Sequence, residues 1–340
     1  MKITDSHQLI LSHAANTVPA LHFDGTQPLA QWQAAARAKL EELLCLPLES
    51  CDSAFTVTEE TEHETYTEIQ FQFQSEPGYF IPCHLLVPKG QKMPRPAVIC
   101  LQGHSTGKHI SLGQKKYESD TDEKLKTRDF ARQAVQNGFC AIAFDQRYMG
   151  TAGLTETGAP HCLQSYSAQS AILMGRTPIG ERVWDIIRLI DVMEDKLTGY
   201  IDTKQIICLG NSGGGTATFY AACMDQRIRL AVPSCAVCTY EASIMAMFHC
   251  ACNYIPHIRK YFDMGDLGCL IAPRPLVVVS GMFDKIFPIS GAETSFAIIK
   301  SAYEQVGKEN LCRMVKGDGG HQFYPDEAWP IIHELLNLED

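Results

Sequence analysis

Gly210-Asn211-Ser212-Gly213-Gly214 sets a serine between glycines two positions before it and two after it. The apolar run Ile206-Ile207-Cys208-Leu209 leads in, and an Ala/Thr/Phe/Tyr-containing stretch to Met224 leads out. The serine therefore falls where a buried strand is expected to turn sharply into a buried helix. The spacing G-x-S-x-G has a mechanical cause: strand and helix crowd together at such a turn, so Gly210 and Gly214 must be small while the serine hydroxyl is held out as a nucleophile. A glycine-rich loop running into a helix also arises by chance, so the pattern alone is weak. A phosphate-binding loop is disfavoured because no Gly-Lys-Ser/Thr follows, and a dinucleotide loop because Ser212 takes the place of its second glycine.

Two further groups fit the same chemistry. Asp284 lies in Gly281-Met282-Phe283-Asp284-Lys285, and His321 ends Lys316-Gly317-Asp318-Gly319-Gly320-His321. A histidine that removes the Ser212 proton, oriented by a carboxylate that stabilises its cation, makes the serine attack a carbonyl, and water then cleaves the acyl-enzyme. The chain order Ser212, Asp284, His321 is one of the orders in which such triads occur. Asp284 could instead stabilise a turn, and His321 could be a solvated loop histidine. Asp318 is a poorer acid, being three residues from the histidine on the same loop, which Gly317, Gly319 and Gly320 are expected to make flexible. Two backbone N–H groups should face the developing oxyanion, that of His104 in Gln102-Gly103-His104 and that of Gly213. The His104 ring itself has a smaller expected part, since the site needs the backbone there.

These residues need a scaffold that ends several strands at one edge. Apolar runs at 97–101, 139–144, 205–209, 229–234, 275–280 and 311–315 alternate with helical patterns at about 123–137, 181–196, 213–224, 290–306 and 326–337. That is the signature of an α/β fold, a mainly parallel sheet with helices on both faces. Ligands gather beyond the carboxyl ends of such strands, where each candidate residue falls. Before the core, Pro28–Leu44 reads as an amphipathic helix, and Tyr66–Val87 as an antiparallel hairpin at the sheet edge, turning at Glu76-Pro77-Gly78. Two connections, 146–180 and 236–271, are long enough to form a lid or binding loops. Their Tyr148, His161, Tyr166, Tyr240, Phe248, His249, Tyr254 and Tyr261 would wall a pocket suited to a polar, ring-like group, or would simply pack the insertions onto the core.

Composition narrows the partners. The 340 residues carry 39 acidic and 29 basic side chains, and the net charge of −10 argues against a nucleic-acid surface. No run approaches a membrane span, and the start, MKITDSHQLILSHAAN, is interrupted by His7, Ser12 and His13 where a signal peptide would be apolar. The 14 cysteines sit inside apolar segments, as expected of buried thiols in a reducing cytoplasm. Cys235-x-x-Cys238 and His249-Cys250-x-Cys252 resemble metal-ligand spacing, but their apolar setting favours plain thiols. Neither a metal nor a cofactor is expected for the triad chemistry.

These residues, with Gly138-Phe139 to Asp145-Gln146-Arg147, resemble the α/β-hydrolase superfamily, and within it acetyl xylan esterases, cephalosporin deacetylases and dienelactone-hydrolase-like esterases. The resemblance runs from about Tyr66 to the end. It departs at Gln102-Gly103-His104, where members commonly carry His-Gly, and at Gln146-Arg147-Tyr148-Met149-Gly150, where an Arg-Gly turn is usual. It implies a hydrolase domain over 66–340, with residues 1–65 a helical extension packed on it. It also implies a serine esterase acting on small-molecule or carbohydrate esters of short acyl groups, as a monomer or a homo-oligomer. A prolyl oligopeptidase-type peptidase would share the catalytic domain but needs a propeller, for which the roughly 95 residues before the first core strand are too few. A non-catalytic binding protein on the same scaffold would have lost triad positions that are all filled here.

Overall fold

The structure is a computed structural model and describes residues 3–104, 107–153 and 165–337, the side chains of residues 165 and 166 excepted. Of the expected pocket residues, His161 and the Tyr166 side chain lie outside the described residues.

Among the described residues nine strands form one sheet: β1 Thr56–Glu62, β2 Tyr66–Glu76, β3 Tyr79–Pro88, β4 Arg95–Leu101, β5 Cys140–Phe144, β6 Ile201–Asn211, β7 Ile228–Ser234, β8 Leu276–Gly281 and β9 Cys312–Gly317. Their order is β1-β2-β3-β5-β4-β6-β7-β8-β9. The first three strands are antiparallel, β3 also meets β5 antiparallel, and every later pairing is parallel. The parallel strands are unbroken aliphatic runs because both faces are covered: Ala97–Leu101 and Ile206–Leu209 are fully buried.

Register is what assembles a site. Leu101 pairs with Gly210, Asn211 with Ser234, Ser234 with Val279, and Gly281 with Gly317. The carboxyl ends of β4, β6, β7, β8 and β9 are thus level, and the loops carrying His104, Ser212, Asp284 and His321 leave the sheet along one edge.

The helix Gly213–Met224 is apolar all round because it is enclosed by the sheet and by the helix Leu29–Leu44. Its last carbonyls, which have no intrahelical donor, are met by arginines: Arg37 Nε donates to Cys223 O at 3.1 Å, and Arg274 to Ala222 O and Asp225 O at 2.5 and 3.0 Å. A buried ionic group ties the hairpin to the helix Pro178–Lys196. Arg147 donates to both carboxylate oxygens of Asp185, at 2.8 and 2.7 Å, and lies 2.6 Å from Glu76.

Two local expectations change, and one helix is added within the segment expected to be helical. The sheet extends one strand beyond the hairpin, so Thr56–Glu62, within the segment expected to be helical, forms its edge. That strand is polar and almost wholly exposed, so it has no apolar alternation to reveal it, and its glutamates discourage further strand pairing. The helix expected at 123–137 is two, Asp122–Lys126 and Phe130–Gln136, with Thr127 Oγ1 bonded back to Lys124 O at the break. Ser6–Ala15 is an exposed helix with weak apolar patterning, capped by the Asp5 carboxylate at 2.7 Å from His7 N.

Candidate active site

Ser212 takes φ 56° and ψ −122°, a backbone conformation costly for a residue with a side chain. The surrounding structure holds it there: Ser212 N–H donates to Ser234 O at 2.8 Å, and Ser212 O accepts from Thr216 N at 2.7 Å. A methyl group on Gly214 would lie 2.0 Å from Leu101 O, and one on Gly210 would lie 2.5 Å from the Gly214 backbone. Both positions are glycine because strand and helix meet backbone to backbone. A methyl group on Gly213 would strike the His104 ring at 2.5 Å, so that imidazole lies directly against the start of the helix. Gly213 N–H belongs to the first helical turn, whose donors have no acceptor within the helix.

Asp284 and His321 meet across two loops. His321 Nδ1 is 2.8 Å from Asp284 Oδ2; the carboxylate side chain is fully buried and the ring 19% exposed. The other carboxylate oxygen accepts from Ile286 N and Phe287 N at 2.8 and 3.1 Å. Burial would raise this carboxyl, but the bond and charge of His321 and those two N–H groups outweigh it and hold the group below its ordinary value. Asp318 is exposed on the same loop as the histidine.

That loop is tied down rather than loose. Met282 N and Phe283 N donate to Gly317 O and Gly319 O, both at 2.9 Å, and Tyr324 Oη donates to Gly320 O at 2.8 Å. Gly317 is glycine because the Tyr324 ring fills the place of its side chain, and Gly281 because the Gly320 carbonyl would lie 2.0 Å from its Cβ. Gly317 and Gly319 are closely packed against Tyr324, contrary to the flexibility expected of them, whereas Gly320 has room for a side chain.

Ser212 and His321 line one cavity of about 310 Å³, together with His104, Arg128, His249 and Phe287 among others. Among the described residues no hydrogen bond joins Ser212 Oγ to His321 Nε2; such contacts often close only with substrate bound. The loop after β4 is anchored through Asp145, whose Oδ1 accepts from Lys108 N at 2.6 Å and from Gln102 Nε2 at 3.3 Å. Burial and the neighbouring His104 push the His249 ring below its ordinary value, which favours its neutral form.

The other candidates separate. Of the aromatics expected to wall the pocket, Phe248 and His249 do so; Tyr148 bonds Glu181, Tyr240 is buried against Tyr220, and Tyr254 borders a different hollow. Cys235 and Cys238 are thiols pushed up to about 12 by burial. Cys250 and Cys252 come instead to His104, whose Nε2 is 3.0 Å from Cys252 Sγ. A hydrogen bond from Cys250 lowers the Cys252 thiol well below its ordinary value; burial opposes this, and the charges of Arg182 and His104 add to it. Arg128 and Tyr324 carried no sequence signal, since the first follows a helix break and the second is one more aromatic beside a helix.

A family model of the Abhydrolase family matches residues 10–315, spanning both the sheet and the serine turn. The chain belongs to that family. It has the α/β-hydrolase fold, with the antiparallel hairpin preceding the parallel core. A Bacillus subtilis (strain 168) protein named "Putative hydrolase YtaP" is 26% identical over 261 residues, 76% of this chain and 82% of that one. A structure described as a "putative acetyl xylan esterase" from Bacteroides fragilis NCTC 9343 superposes with TM-score 0.81 at 18% identity, covering 98% of this chain and 96% of that chain. A glucuronoyl esterase from Solibacter usitatus gives TM-score 0.69 at 14% identity, covering 95% and 98%. Among the described residues of this Abhydrolase chain, no helix is long and apolar enough to cross a membrane.

Proposed function

We propose that the protein is a serine esterase that removes acetyl-type short acyl groups from small or carbohydrate alcohols. The observation that carries this reading is the 2.8 Å bond between His321 Nδ1 and the buried Asp284, made beside the cavity that Ser212 also lines. His321 Nε2 takes the Ser212 proton, the serine attacks the ester carbonyl, and Asp284 stabilises the imidazolium. The N–H groups of His104 and Gly213 receive the oxyanion. His321 then protonates the departing alcohol, and the same base activates the water that releases the acid. Nothing in these steps calls for a metal or a cofactor.

The short acyl group follows from the cavity. Among the described residues it is about 310 Å³ with three imidazoles and a guanidinium in its walls, which suits a short acyl group on a polar alcohol better than a long alkyl chain. The names of the structural neighbours, an acetyl xylan and a glucuronoyl esterase, support carbohydrate-borne esters as the class to try first. The test is kcat/KM over aryl esters from acetate to decanoate, with Ser212→Ala as control. A fall beyond about four carbons is expected. A steady climb of about 0.8 kcal/mol per methylene would mean a lipase-like site and would sink the reading.

A further inference from the structure

The excursion between β7 and β8 carries Cys250 and Cys252 to the imidazole of His104, which comes from the loop after β4. His104 Nε2 and Cys252 Sγ are 3.0 Å apart, and one ligand atom from each of the three residues lies within 4.8 Å of the others. Tetrahedral zinc, with bonds of about 2.3 Å to sulfur and about 2.0 Å to nitrogen, sets such atoms roughly 3.5–3.8 Å from one another. Shifts on the order of 1 Å or less would bring all three to bonding distance.

The donors are chemically matched. Two thiolates and an imidazole are soft and borderline ligands, which select zinc-like ions over calcium or magnesium. Cys252 is buried, so its sulfur is held in place beside the His104 ring. His104 and Cys250 line the cavity of Ser212, whereas Cys252 is not part of that wall. A cation held by the three would thus have its protein ligands behind it and its fourth position toward the cavity.

We propose that His104, Cys250 and Cys252 form a binding site for a zinc-class cation, with the open coordination position facing the Ser212 cavity. Binding releases the protons still on the two thiols and joins the loop after β4 to the excursion between β7 and β8. It is a site additional to the triad, which works without it.

A second group, Cys235, Asp284 and His321, also brings its ligand atoms within 4.8 Å, so the test must tell the two apart. That group is the weaker candidate. Its thiol is pushed up to about 12 by burial and by Asp284, and both Asp284 oxygens are already taken, one by His321 and the other by the Ile286 and Phe287 N–H groups.

The full-length protein, reduced and freed of metal by chelator, is titrated with Co²⁺ without oxygen. One equivalent per chain is expected, with thiolate-to-cobalt charge-transfer absorption, the visible bands of tetrahedral cobalt, and loss of both on adding one equivalent of zinc. Cys250→Ser, at a half-buried position, should abolish the charge-transfer bands or reduce them to those of one thiolate, with the melting curve kept. Cys252→Ser should act in the same way, read only where its melting curve shows a folded protein, and Cys235→Ser should leave the spectrum intact. No thiolate charge transfer in the parent protein, an unchanged spectrum in Cys250→Ser, or loss in Cys235→Ser alone would each overturn the proposal. The readout is binding, so it stands or falls separately from the esterase reading.

Discussion

Tyr324 Oη donates to Gly320 O at 2.8 Å, which fixes the peptide immediately before His321. The same hydroxyl lies 2.6 Å from the place a Gly281 side chain would occupy, so it sits where the loops of the carboxylate and the imidazole cross. A neutral hydrogen bond of this kind contributes about 1 kcal/mol net. Tyr324→Phe should therefore lower kcat by roughly fivefold with KM little changed. A variant that is less stable but has an unaltered kcat would show that the bond only supports the fold.

Ser212 should be a site where stability and activity pull apart. Its φ of 56° and ψ of −122° suit glycine better than serine, and such strain costs on the order of 1–3 kcal/mol. Glycine loses some of that gain through its freer unfolded chain, about 0.4–1 kcal/mol. Ser212→Gly should thus unfold at higher denaturant concentration than the parent while hydrolysis falls by about 10⁴-fold or more. Ser212→Ala, which keeps a Cβ on the same backbone, should be as inactive without the gain. Equal stability of the two variants would show the turn to be relaxed.

The two aspartates near His321 make opposite predictions. Asp284→Asn leaves the ring in the wrong tautomer and should cost on the order of 10⁴ in kcat. Asp318→Asn, on an exposed position, should leave kcat within about twofold. Damage from the second change rather than the first would reassign the acid.

Acid should act on this site twice. A histidine base must be neutral to accept the serine proton, so activity falls first as the pH drops. Asp284 is held below its ordinary value when folded, so its contribution to stability is present above that ordinary value, about 3.8, and is lost as the pH falls from there through the folded value. Chemical denaturation followed against pH should show Asp284→Asn losing less stability than the parent below about pH 4. An identical slope would mean that the carboxylate is not stabilised by its partners.

The candidate serine, carboxylate and imidazole stood out in the sequence because each lies within a few residues of the end of an apolar run, and level strand ends bring such positions to one edge of the sheet. What lay beyond reading depended on distant pairs. The approach of His104 to Cys252 spans 148 positions, and nothing near either residue announces the other. Glycines were legible as glycines but not as to cause: Gly317 yields space to an aromatic ring seven residues on, which in sequence looks the same as a flexible turn. The edge strand was hidden because exposed strands carry no apolar alternation.

Phe248, His249, Cys250 and Asn253 reach the cavity on a single excursion of the chain between β7 and β8, whereas the proposed bond-breaking groups come from strand ends. On the proposed reading, the residues that would choose a substrate are carried apart from those that would act on it, but exchanging that excursion alone would not separate them. The N-terminal segment is bolted to it: Ala20 N to Lys260 O at 2.9 Å, Phe23 N to Asp266 at 2.9 Å, and Gln33 Nε2 to Cys269 O at 2.8 Å. A graft meant to retune specificity has to carry both pieces, roughly 20–37 and 236–271, as one transplant.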